Sequence, residues 1–92
     1  METQIVCRKA LKSIEKVMHC SIIADTPKII PDIDLSATNL DGFYSPVHDI
    51  IVLGNHLDKH GEELTLCHEL LHWVGYEEDI CLDREMVCWL GM

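Results

Sequence analysis

From Thr3 to about His19 the apolar positions recur at helical spacing. Cys7, Ala10, Leu11, Ile14, Val17 and Met18 fall on one face, while Arg8, Lys9, Lys12 and Lys16 fall on the other. The pattern predicts an amphipathic helix with an apolar side to bury and a solvated basic back. Pro27 and Pro31 punctuate the next segment, and KIIPDIDL and GFYSPVHDIIVLG read as short strands, the last of them a compact apolar run from Asp49 to Leu53. Asp41-Gly42 and Ser45-Pro46 supply turn residues. The expectation is therefore an antiparallel meander of about three strands, with Pro46 at a turn or an edge.

Gly54 closes the last strand, NHLDKHGEE is a polar connection, and a helix begins near Glu62, where two acids suit its positive end. This helix, LTLCHELLHWV, has almost no polar face, so it belongs in the centre of the fold. Gly75 is a suitable residue to stop it, and a further helix near Ile80 to Leu90 ends the chain. The fold class expected is α+β: an N-terminal helix, a small mainly antiparallel sheet, and the central helix packed against a C-terminal one. Ninety-two residues suffice for one such domain, spanning 1–92, with a single modest core.

Composition narrows the function classes. No apolar run approaches the roughly 18 residues of a membrane span, and METQIVCRKALKSIEK is too polar for a secretory signal, so the cytoplasm is the expected location. Cys7, Cys20, Cys67, Cys81 and Cys88 are odd in number and contain no CxxC pair, which suits reduced core thiols better than disulfides or a four-cysteine zinc site. The formal charge is −9 and uneven: Gly54 to Met92 carries nine acids against Lys59 and Arg84. Such a surface repels nucleic-acid phosphates.

The chemistry lies in the central helix. His68 and His72, at i and i+4, lie one above the other and can point two imidazoles at one ion. Glu69 sits at the margin of the same face, placed to take a proton from a water on that ion. This is the zincin arrangement HExxH, and two imidazoles with a carboxylate suit one Zn2+ per chain. The third ligand is open between two glutamates. Glu85, about six residues into the last helix, matches the height of the histidine pair in an antiparallel helix hairpin, and is favoured over Glu78, which would have to reach back from the turn at Gly75. Tyr44 and Tyr76 are candidate donors to an oxyanion on chemistry alone, whereas His19, His48, His56 and His60 show no ligand spacing, Gly61 breaking the segment that holds the last two.

The run GFYSPVHDIIVLG, then LTLCHELLHWVGY and LDREMVCWLG, resembles the compact ImmA/IrrE-type and minimal gluzincin metallopeptidases, common in phages and mobile elements. The likeness covers about Phe43 to Met92, and its specific part is HExxH. It implies a helix and small sheet ahead of the motif helix and a metal ligand at Glu85. It further implies a zinc metalloprotease, Glu69 its general base, acting on a peptide or protein substrate in a bacterial or phage-infected cell. A strand from the sheet, Asp49 to Leu53 or its neighbour, would hold the extended substrate. LHWVGYEED is also similar to the HxxxHxxGxxH signature of YbeY-type zinc endoribonucleases, with Glu78 at the position of the last histidine. A zincin scaffold that binds without turnover is the third alternative.

Overall fold

The computed structural model describes residues 3–92. Its elements are α1 (Thr3–Met18), β1 (Lys28–Ile33), β2 (Gly42–Ser45), β3 (Ile50–Gly54), α2 (Lys59–Val74) and α3 (Glu78–Leu90). The α+β class is as expected, with α1 at the N-terminus and the HExxH helix α2 packed on α3. No described helix is long and apolar enough to cross a membrane.

The sheet is mixed and not a meander: its order is β1-β3-β2, β1 running parallel and β2 antiparallel to β3. Composition accounts for the order. Ile51, Val52 and Leu53 are all buried, a run that suits the middle of a sheet covered on both faces. Pro31 lacks an N–H and confines β1 to an edge, where the pairing slips between Ile30 and Ile33. Pro46 opens the turn that joins β2 to β3.

Ile51 and Leu53 share one face of β3 and meet a core built by Cys7, Ala10 and Ile14 of α1, Leu66, Leu70 and Leu71 of α2, and Cys81 and Cys88 of α3. Ser13, on the same side of α1, is buried and donates its hydroxyl proton to the Cys88 carbonyl at 2.6 Å, tying the first helix to the last. All five cysteines are free thiols.

Helix α2 starts one turn earlier than the sequence predicts. Asp58 caps it, Oδ1 accepting from the Gly61 N–H at 2.7 Å, so Gly61 lies inside the first turn instead of breaking the segment. Replacing this exposed cap, Asp58→Ala, is expected to lower stability by about 1 kcal/mol in urea unfolding. At the other end Gly75 has φ 123°, its N–H bonding the His72 carbonyl while the Tyr76 N–H reaches Leu71. This left-handed stop requires glycine and turns the chain directly into α3. The two helices then run antiparallel, Glu63 meeting Trp89 and His68 meeting Glu85.

Candidate metal centre

The site forms where the last two turns of α2 face the first two of α3, beside β2. His68 and His72 share a face of α2, their rings edge to face at 5.0 Å between centroids. The tight stop at Gly75 brings Glu78, first residue of α3, back over that face. Its Oε1 lies 2.7 Å from Nε2 of His68 and 2.7 Å from Nε2 of His72. One ligand atom from each of these three residues falls within 4.8 Å of the others.

Glu85 stands elsewhere in the cluster. Its Oε2 is 2.7 Å from Nδ1 of His68, on the side of the ring away from Glu78. The height match in the helix hairpin does bring Glu85 to His68, but at the outer nitrogen. The three-residue group that converges is His68, His72 and Glu78, with Glu85 supporting it. Ring height along a hairpin sets which helix residue reaches a histidine and is silent about which nitrogen it meets.

Proton positions follow from these partners. Nδ1 of His68 faces the Glu85 carboxylate and Nδ1 of His72 the Tyr76 carbonyl at 3.1 Å, so each outer nitrogen can donate. Both Nε2 atoms face the Glu78 carboxylate, where either a second proton on each ring or a cation satisfies it. A neutral imidazole with its proton on Nδ1 presents a bare lone pair at Nε2. Two such lone pairs and a carboxylate oxygen then confront one another, a repulsive set unless a cation lies among them or both rings carry a second proton. Imidazole and carboxylate donors, with each outer nitrogen hydrogen-bonded to an acceptor, fit a Zn2+ ion.

The surrounding carboxylates favour positive charge among these nitrogens, whether a proton or an ion supplies it. Burial works against protonation of His68, yet Glu85, Glu69 and Glu78 outweigh it and hold its pKa above the ordinary imidazole value. The contact with His72 leads the influences that hold Glu78 below the usual carboxylate range. Glu69 points into the same space and is half-buried. Burial pushes its carboxyl upward, opposed by His68, His72 and the Tyr44 backbone.

Two adjoining cavities, about 290 and 420 Å3, share Leu40, Gly42, His68, Glu69 and Glu78 and together form a groove. One wall is β2, whose outer edge pairs with no described strand. Strand β3, one of the two expected to hold substrate, is central and has both edges taken, leaving its neighbour β2 as the free edge at the site. Tyr44 and Tyr76 both pack against the hydrophobic core, Tyr76 contributing its carbonyl instead of its hydroxyl. Two residues of the groove carry no functional signal in the sequence: Leu40, which has no periodic element around it to mark it, and Asp41, which reads only as a turn residue and is paired with His56 at 2.9 Å. His60, which the sequence places in a broken segment, lies in α2 and stacks on Trp89 at 4.1 Å.

A scan against protein-family models found no match, and searches of curated proteins and of solved structures found none either.

Proposed function

We propose that the chain is a zinc-dependent metallopeptidase of compact zincin type, holding one Zn2+ on His68, His72 and Glu78. The observation that carries the reading is that one possible ligand atom from each of these three residues lies within 4.8 Å of the others, beside the half-buried Glu69. When bound, zinc supplies Lewis acidity that polarises a carbonyl and acidifies water. Glu85 and the Tyr76 carbonyl fix the ring orientations of His68 and His72. Glu69 takes the proton of the attacking water and returns it to the leaving amine, a role its raised pKa suits. An extended peptide added along the free edge of β2 would lie across the groove, main chain against main chain. The free thiols accord with a reducing compartment, the cytoplasm of a bacterial or phage-infected cell.

The placement of Glu78 also favours a second reading, because position 78 is the ligand position of the YbeY pattern. Against RNA cleavage stands the charge: Asp41, Glu69, Glu78 and Glu85 line the groove and repel phosphates. Metal analysis of protein purified without added zinc, followed by parallel incubation with a mixed peptide pool and an RNA oligonucleotide, separates the readings. One zinc per chain with chelator-sensitive cleavage of peptide is the expected result. Cleavage of RNA alone would replace the peptidase with the nuclease, zinc with no cleavage would leave a zinc-holding binding protein, and no zinc under any loading would end both enzyme readings and leave HELLH as a polar cluster in a binding protein.

A further inference from the structure

A further cavity lies away from the metal centre. It measures about 460 Å3 and is bounded by Val6 and Lys9 of α1, Lys59 of α2, Trp89 and Leu90 of α3, and Met92. Lys59 is nine residues before His68, or roughly 13 Å along the helix, so the two places are at opposite ends of α2.

Two features distinguish this cavity. Its aromatic wall is fixed: the Trp89 ring stacks on His60 with 9° between planes, and its N–H donates to Glu63 Oε1 at 3.2 Å. Its cations are unpaired: among the described residues the only lysine or arginine within 4 Å of a carboxylate is Arg84, next to Asp83. Glu63, the one acid on the lining, is engaged by the indole, which leaves two ammonium groups against one carboxylate. In a chain with seven cations against sixteen acids, Lys9 and Lys59 both face this cavity, and neither has a carboxylate of the described residues within 4 Å.

We propose that this cavity binds a small amphipathic anion, a carboxylate carried on an apolar body. The lysines receive the carboxylate, while Val6, Trp89, Leu90 and Met92 receive the apolar part. The size lies within the range of small-ligand sites. The −9 charge repels a polyanion along its length, which favours a small anion over an extended one.

The probe is octanoate, titrated into the whole chain and followed by amide and indole N–H shifts, with octanol and octylammonium as neutral and cationic analogues. Trp73→Phe identifies which indole signal is Trp89. Saturable shifts of the Trp89 indole and the Lys59 amide are expected, with octanoate affinity falling about fivefold or more in Lys9→Ala and in Lys59→Ala, a loss on the scale of one charge pair. Both lysines are exposed, so circular dichroism should be unchanged. Equal binding of octylammonium, undiminished binding in both variants, absence of saturable shifts, or shifts centred on His68 and Glu69 would each overturn the assignment.

Discussion

Glu69→Gln is expected to lower peptide hydrolysis by about 10²- to 10⁴-fold, the range of a lost general base, while zinc content and unfolding midpoint stay as in the wild type. The substitution keeps the shape of the side chain and removes only its ability to accept and return a proton. Glu69 is one residue from His68 and so turned about 100° from it around α2, which puts it beside the converging atoms and outside the three that converge. Burial pushes its carboxyl pKa upward, and on the proposed mechanism that would suit it to accept a proton from water and release it to an amine. The measurement is cleavage of a peptide found by pool digestion, under single-turnover conditions, with metal measured on the same samples. A variant that cleaves at the wild-type rate with full zinc would remove Glu69 from the mechanism. Loss of zinc along with activity would make it a ligand.

How far the sequence discloses this molecule depends on whether a feature is local. Helix α1 is local: its apolar face from Cys7 to Ile14 is buried as its periodicity predicts. The stop at Gly75 is local too, since a left-handed residue after an apolar helix leaves few alternatives to glycine. Strand order is not local. The turn residues on either side of β2 suggest a meander, but the more apolar β3 outcompetes its neighbours for the centre and Pro31 keeps β1 on the rim. Capping chemistry is legible but easily outweighed: NHLDKHGEE looks polar throughout, yet Asp58 followed three residues later by a bonded Gly61 N–H is the start of a helix. The motif HExxH is legible because i and i+4 adjacency follows from helix geometry alone. The glutamate that joins the two histidines depends on how sharply the chain turns after Val74, a tertiary fact, and helix heights alone point to Glu85.

The division of labour between those two glutamates gives the most discriminating expectation. Glu78→Ala should weaken zinc binding by more than Glu85→Gln, and the second variant should fall in the roughly 10- to 100-fold range of a residue that orients a ligand. Glu78 Oε1 faces both Nε2 atoms, so its removal takes away one of three donors and leaves the two imidazole lone pairs without a carboxylate to complete the set. Glu85 meets only Nδ1 of His68. In Glu85→Gln the amide oxygen can still accept that N–H, so ring orientation survives and only the charge is lost. The depths of the two residues reinforce the difference: the Glu78 side chain is 63% exposed and open to an arriving ion, whereas Glu85 is 24% exposed and lies behind His68. Competition against a chelating dye at fixed pH, for wild type, Glu78→Ala, Glu85→Gln and His72→Ala, measures all four affinities on one scale. His72→Ala should lie with Glu78→Ala, because each loses a direct donor. The reverse order, Glu85→Gln losing zinc while Glu78→Ala keeps it, would require His68 to flip its ring and offer Nδ1 to the metal beside Glu85. Glu78 would then be an exposed acid at the mouth of the groove, and the site would return to the gluzincin pattern that the resemblance implies.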